Sequence, residues 1–447
     1  MSQQHDLVPF RDALRFWVRL GFVNFGGPSG QIALMHEELV ERRGWIDEQR
    51  FLHALGFCML LPGPEAQQLA IYVGWLLHRT LGGIVAGVFF VLPSAVLMLV
   101  LSWAYAVHGD VRWVAGLFAG LAAGVLGLVV VAVLRVGGRA LRTPFTLGVA
   151  VASFVAILIL GIPFPVVVVA AGIAGAVVAV RRPSLVPVPA ELTASGSAVE
   201  QALVSERLRP TTRRTVRVLV LGLSAWWLPL LAVIGWRGPG DTLTTEALFF
   251  SGAAVVTFGG AYAVLAFVNQ AAVVRYMWLT PGDVVAGLGL AESTPGPLIM
   301  VVQFVGFLAA YRFPGDLSPL TAGILGSAVT VWATFAPCFL WIFLGAPYVE
   351  RLRKHRRLGA AFGSVTAAVV GVIASLAITF GVNVLFGEVE SIEPLGAPIP
   401  APELASVRPF SVAIAVAAFL AIFRLRRNPA LVAVACGFAG LVRVLFA

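Results

Sequence analysis

The sequence predicts an all-α polytopic membrane protein built from two inverted-topology repeats, with broken or re-entrant helices at FGG and PGP motifs. Three observations predict it. Hydrophobic residues make up 59% of the 447 and charged residues only 12%, about half the charged share of a soluble domain. A series of motifs occurs twice, in order, at a fixed offset. Arginine collects on one side of the apolar runs.

The apolar runs come first. Stretches of roughly 18 to 20 residues recur between residues 84 and 446, the length a bilayer core demands of a helix. A transmembrane β-barrel would show shorter alternating segments. The formal charge of +9 is almost all arginine, with Lys354 the one lysine. Basic chains often bind nucleic acid, but here the arginines lie in short clusters between apolar runs, as a membrane topology requires. Cys58, Cys338 and Cys436 are far apart in apolar stretches, so no disulfide framework and no metal site is expected. Residues 1–9 are short and polar, and no cleavable signal is expected there.

The repeat comes next. Phe25-Gly26-Gly27 returns as Phe258-Gly259-Gly260, Trp45 as Trp278, and Pro62-Gly63-Pro64 as Pro295-Gly296-Pro297, all at an offset of 233. Gly74 matches Gly306 after a slip of one. Pro93, Phe118 and Gly127 then match Pro337, Phe362 and Gly371 at an offset of 244, so an insertion falls around residues 312–320. The domains read as a first repeat at 10–181, a basic cytoplasmic linker at 182–217, a connecting transmembrane helix at 218–236, and a second repeat at 245–447.

Within each repeat the first two segments are interrupted. Gly26-Gly27-Pro28 breaks 11–42 and Pro62-Gly63-Pro64 breaks 47–78. The pieces are about 15 residues, or roughly 22 Å, too short to cross a 30 Å core upright. Spans are then expected at 82–108, 113–134, 145–161 and 163–180. The second half repeats the plan, with broken segments at 245–275 and 283–311 and spans at 320–344, 358–386, 408–423 and 430–446. With the N-terminus in the cytoplasm, six of the 31 basic residues fall outside: Arg112, Arg237, Arg275, Arg312, Arg408 and Arg443. The rest lie on or toward the inside. The single span at 218–236 makes the second half enter from the opposite face. Inverted repeats with broken helices are the plan of many secondary transporters, which bind substrate at the breaks.

The breaks also carry the candidate chemistry. Proline removes a backbone N–H and disrupts the preceding turn, and glycine lets a ligand approach the backbone. A helix restarting after a break presents free N–H groups and a partial positive charge, which attract anions. The competing reading is a kink tolerated for packing. Candidate substrate-binding residues are Asn24, Gly26, Gly27, Ser29, Gly30 and Gln31 at the first break. At the second they are Pro62, Gly63, Pro64, Glu65, Gln67 and Gln68, and in the other half Gly259, Gly260, Pro295, Gly296 and Pro297. Glu65 and Glu292 are proton-coupling candidates, because a carboxyl at membrane depth needs a reason. For Glu65 a helix-start role is an equal rival. Arg19, His36, His53, His78, Arg79 and Arg275 are the nearest cations in sequence. The histidines show no metal-ligand spacing, no Walker A pattern is present, and no nucleophile–base pair suggests an enzyme. No cofactor is expected.

Three stretches resemble the chromate ion transporter superfamily in its long two-domain form: the run from Phe25 through Gln31 to Ala33, the run from Leu60 through Glu65 and Gln68 to Ala70, and Thr294-Pro295-Gly296-Pro297-Leu298. The resemblance covers almost the whole chain. It implies a multi-pass bacterial inner-membrane exporter of chromate, driven by the proton gradient and conferring chromate resistance. Sulfate, the structural mimic of chromate, is thought to interact with related proteins. The partners implied are thus chromate, possible sulfate, protons and the lipid bilayer, with no nucleic acid. A sulfate or other anion carrier, or an anion channel, is the alternative within transport. Ala261 stands where the first half has Pro28, so the two FGG sites are not equivalent. Single cysteines replacing Arg79 and Arg312 should be labelled from opposite faces of the membrane. Labelling of both from one face would remove the inversion.

Overall fold

The computed structural model describes residues 8–25, 27–59, 61–109, 111–182, 211–256, 261–346, 356–392 and 399–446. Gly26, Gly259, Gly260, most of the 182–217 linker, and the side chains of Ser29, His53 and Tyr262 lie outside the described residues. In the first half the helices are α1 (Phe10–Val23), α2 (Gly27–His36), α3 (Glu48–Cys58), α4 (Glu65–His108), α5 (Arg112–Ala140), α6 (Pro144–Leu158) and α7 (Phe164–Arg181). The connecting helix is α8 (Thr212–Arg237). The second half holds α9 (Thr242–Val256), α10 (Ala261–Asn269), α11 (Pro281–Ser293), α12 (Val301–Arg312), α13 (Pro319–Gly345), α14 (Arg356–Leu385), α15 (Pro409–Phe423) and α16 (Pro429–Phe446). A two-stranded hairpin, β1 (Val389–Ile392) with β2 (Ile399–Pro402), sits between α14 and α15. Among the described residues seven helices are long and apolar enough to cross a membrane. The chain is an all-α multi-pass membrane protein.

The two halves agree down to single hydrogen bonds. α2 widens into a π-helical turn at Glu37–Arg42, and α10 does the same at Gln270–Arg275. Each turn closes on a tryptophan amide. Trp45 donates to the Leu39 carbonyl at 2.9 Å, and Trp278 to Ala272 at 2.8 Å. The next helix is then capped at the same offset. The Asp47 carboxylate accepts from the Arg50 amide at 2.8 Å, and the Thr280 hydroxyl accepts from the Asp283 amide at 3.2 Å. Such caps satisfy amides that have no partner inside the helix. The PGP breaks follow, and Gly63 and Gly296 adopt φ of +118° and +114°, a region closed to side chains.

α4 is two rods rather than one. Its helical torsions fail at His78 and at Arg79, which has φ +54°. There the chain reverses. A Cβ on Gly74 would meet the Gly82 carbonyl at 2.4 Å, and one on Gly82 would meet the Gly74 carbonyl at 2.2 Å. Residues eight apart on a straight helix would be about 12 Å apart, so the first rod doubles back and packs on the second. In the second half a Cβ on Gly326 would meet the Gly306 carbonyl at 2.6 Å, the same crossing made by α12 and α13. The insertion expected near residues 312–320 is the loop between these two helices. Reversal without a loop needs the left-handed torsion at Arg79, and the insertion removes that need.

The halves are interleaved. α5 packs along α15 and α16, whereas α14 packs along α6 and α7. Glycines allow the close approach. A Cβ on Gly127 would come 2.8 Å from the Ala415 carbonyl, and one on Gly371 would come 2.0 Å from the Ala150 carbonyl. This exchange is reciprocal, as a two-fold relation between the halves demands. Small residues at helix crossings are the usual means of packing in lipid, where hydrophobic burial between helices is weak. α8 lies at the edge, held by the Trp332 indole, which donates to the Ala225 carbonyl at 3.1 Å. Its outer face, with Val220, Leu221, Leu228 and Leu231, is exposed and apolar, as a lipid-facing surface requires.

Gly371→Ala should destabilise the protein by about 1–3 kcal/mol, the range for overpacking a close contact. At Gly138 a Cβ would meet nothing within 4 Å. Gly138→Ala should instead be neutral or stabilise by up to about 1 kcal/mol through helix propensity. Thermal unfolding of the solubilised protein reads both, and equal shifts would contradict the packing described.

Candidate functional site

Among the described residues, those flanking the first FGG, Asn24 and Gln31, meet the PGP of the other half. α1 ends at Asn24, and α2 begins at Gly27 with φ +66°. The Gly296 amide donates to the Asn24 carbonyl at 2.8 Å. The Gln31 side chain donates from Nε2 to the Gly296 carbonyl at 2.5 Å. Gly296 is therefore held on both sides by the first half. Its Cα faces Ser94 of α4, and an added Cβ would lie 2.3 Å from the Ser94 Cβ. Several polar atoms at this joint are buried without a hydrogen-bond partner: both side-chain heteroatoms of Asn24, the Gln31 Oε1 and the Ser94 Oγ. Gln303 on α12 donates to the Ala95 carbonyl at 2.7 Å, next to Ser94, and its Oε1 is also unpartnered. Unsatisfied groups at this density ask for a reason, because each costs about 1–3 kcal/mol.

The second joint is built on Gly63. An added Cβ there would lie 3.0 Å from the Cys338 Sγ, and Cys338 is the residue 244 positions after Ser94. Gln68 donates from Nε2 to the Pro62 carbonyl at 2.6 Å and leaves its Oε1 unpartnered. Gln67 Nε2 reaches the Gly87 carbonyl only at 3.5 Å. Val264 stands at the position of Gln31, and with Gly63, Pro64, Ile299, Val302 and Thr334 it lines a small cavity. Thus the first joint presents Gln31 and Ser94 where the second has Val264 and Cys338, while Gln67 and Gln68 keep buried, unpartnered oxygens at the second. The cavity runs from the first PGP break to the head of the helix after the second, so the two joints are neighbours.

The cations nearest in sequence do not gather at the breaks. Arg19, Arg79 and Arg275 are exposed, and Arg275 lies over the Tyr276 ring at 5.1 Å. His36 pairs with Glu48 at 2.5 Å and Glu41 at 3.2 Å, and His78 bonds to the Val8 carbonyl at 2.7 Å. His53 is among the side chains not described. Glu65 occupies the first position of α4, against its own backbone amide. Glu292 is buried in the last turn of α11. No grouping of three metal-ligating side chains occurs among the described residues. An anion at the joint would therefore be met by amide and hydroxyl dipoles and by helix starts.

Two features escaped the reading of the sequence. Arg312 forks onto Asp283 at 2.8 and 3.0 Å, and the Tyr105 hydroxyl of the first half donates to the same carboxylate at 2.9 Å. The Thr280-to-Asp283 spacing is that of a capping box, which was the available signal. The other feature is Glu246 on α9, fully buried and with both carboxyl oxygens unpartnered.

A single family description, "Chromate transporter", matches residues 11–176 and again 245–441. The chain belongs to the chromate transporter family. The two matched stretches leave out the linker and α8. Relatives of the chain include a chromate transport protein of Cupriavidus metallidurans, 30% identical over 81% of this chain and 80% of its own. A chromate transport protein of Pseudomonas aeruginosa is 30% identical over 81% and 79%. A probable chromate transport protein of Synechococcus elongatus is 27% identical over 84% and 86%. No solved structure matches the chain.

Proposed function

We propose that the protein is a secondary transporter that exports chromate across the bacterial inner membrane, coupled to the proton gradient, and so confers chromate resistance. The observation that carries this reading is the polar joint between the halves. Asn24 and Ser94 hold buried donors that nothing else uses, beside a helix start and a glycine backbone. A tetrahedral oxyanion accepts hydrogen bonds and takes them well from such groups. Because the joint is shared between the halves, rocking one half against the other opens it, as alternating access requires.

The orientation follows from the arginines: N-terminus in the cytoplasm, α8 crossing once, and the repeats inverted about an axis in the membrane plane. Binding by neutral dipoles also leaves the site intolerant of extra negative charge. A carboxyl near it would repel the anion when ionised and admit it when protonated, which couples the two ions. Glu65 and Glu292 are the carboxyls nearest the breaks along the chain. The proposed substrate site comprises Asn24, Gly26, Gly27, Ser29, Gly30 and Gln31, with Pro62, Gly63, Pro64, Gln67 and Gln68. The copies at Gly259, Gly260, Pro295, Gly296 and Pro297 complete it. Sulfate has the same shape and charge as chromate, and dipoles alone discriminate weakly between them, so sulfate should compete.

In everted vesicles the protein should accumulate chromate when a proton gradient is imposed, and an uncoupler should abolish this. Gln31→Ala or Gln68→Ala should lower uptake by about tenfold, the effect of losing a hydrogen bond worth about 1.4 kcal/mol. Val264→Ala and Val301→Ala, at the matching second-half positions, should change it by less than about twofold. Uptake insensitive to uncoupler would refute the coupling.

A further inference from the structure

Glu246 has no counterpart in the first half, where Ala13 occupies its position. It lies one turn inside α9, and its side chain is fully buried. Neither carboxyl oxygen has a hydrogen-bond partner, and the Ala310 backbone amide of α12 is a nearby donor. The carboxyl faces the crossing of α12 and α13. A Cβ on Gly326 would lie 2.6 Å from the Gly306 carbonyl and 2.8 Å from the Glu246 Oε2. A Cβ on Gly306 would lie 2.1 Å from the Thr330 Oγ1. The hydroxyls of Thr330 and Ser327 on α13 are buried and unpartnered as well. An acid, two hydroxyls and a helix crossing thus share one buried place.

The charged groups around it are accounted for. α10 and α13 carry no charged residue among those described. α8 ends in Arg237, which binds Asp241 at 2.8 Å and also binds Asp316. The guanidinium holds the Asp316 carboxyl below its ordinary range, so Asp316 stays charged. On α12, Arg312 is engaged by Asp283, and Tyr311 stacks on Phe307. Glu246 therefore has an acidic neighbour in Asp241, five residues before it, and no described cation of its own. A lone carboxylate charge is expensive in such a place. A protonated carboxyl can instead donate to a hydroxyl or carbonyl beside it.

We propose that Glu246 carries the coupled proton, and that its charge state controls the α12–α13 crossing. This rests on the proton coupling proposed above. A proton arriving from the outer face, past Asp241, binds one carboxyl oxygen and later leaves to the cytoplasmic side; no other bond changes. Ionised Glu246 must draw water or a donor into the crossing, which holds the unloaded carrier back. Protonated Glu246 fits the closely packed crossing and lets the carrier return. α12 begins at the Pro295-Gly296-Pro297 break and bonds to α4 through Gln303, so movement at the crossing reaches the polar joint directly.

The test compares the intact protein with Glu246→Gln and Glu246→Asp in everted vesicles, at matched membrane abundance. Two readings are taken: accumulation driven by an imposed pH gradient, and downhill equilibration of chromate without one. Glu246→Gln should keep equilibration within about twofold of the intact protein and lose accumulation by at least about tenfold. Glu246→Asp should keep both. If the intact protein responds to the gradient and Glu246→Gln accumulates equally well, the assignment to Glu246 is overturned and the coupling stands. If the intact protein ignores the pH gradient, or follows a sodium gradient instead, proton coupling fails and takes the assignment with it. If neither variant equilibrates chromate, Glu246 is structural and the assignment is overturned.

Discussion

Gly296 joins the two halves through its own backbone. It donates to the Asn24 carbonyl and accepts from the Gln31 side chain, with a torsion that excludes side chains and a neighbour, Ser94, that leaves no room for one. A proline on either side removes two N–H groups that would otherwise continue a helix. The break is therefore tolerable at membrane depth only because another segment satisfies what it exposes, as irregular backbone buried in protein must be. That partner comes from the other repeat. The repeats thus fold as one body around their breaks, and the interleaving of α5 and α14 with the opposite halves extends the same exchange outward.

Duplication supplies the geometry, and divergence supplies the chemistry. The π-turns, the caps and the glycine crossings recur at matched positions because they are backbone devices that any half needs. The side chains facing the breaks have drifted apart. Gln31 is answered by Val264, Ser94 by Cys338 and Ala13 by Glu246. At these matched positions the first joint has the more polar pair, while a buried acid has appeared in the second half alone. The proposed anion site and the proposed titratable site, separated in this way, would respond to different ions while sharing the same helices.

Much of the fold was legible because lipid and backbone restrict the choices. The apolar run lengths, the interruptions before Gly27 and at Pro62-Gly63-Pro64, and helices at each expected span follow from local rules, although α6 and α15, at 15 residues each, are shorter than the seven helices long enough to cross a membrane. The reversal at His78–Arg79 falls in the gap expected between the broken segment ending at 78 and the span beginning at 82. Which break meets which was not legible, since Gln31 and Gly296 are 265 residues apart. Their pairing depends on how the halves interleave. Glu246 was passed over because it lies a turn inside α9, away from any motif. Its burial arises from helices brought alongside by the Gly306–Gly326 crossing. The nearby arginines drew attention by sequence proximity, yet Arg19, Arg79 and Arg275 turn outward.

The claim that the cross-half joint receives the oxyanion is tested most directly by hydrogen–deuterium exchange of the solubilised protein with and without chromate. Backbone amides in the segments around Asn24 to Gln31 and around Thr294 to Gln303 belong to one joint. Chromate should change the protection of both segments together, while the lipid-facing α8 stays as it was. A change confined to one of the two segments, or none in either at a chromate concentration that saturates transport, would contradict the account.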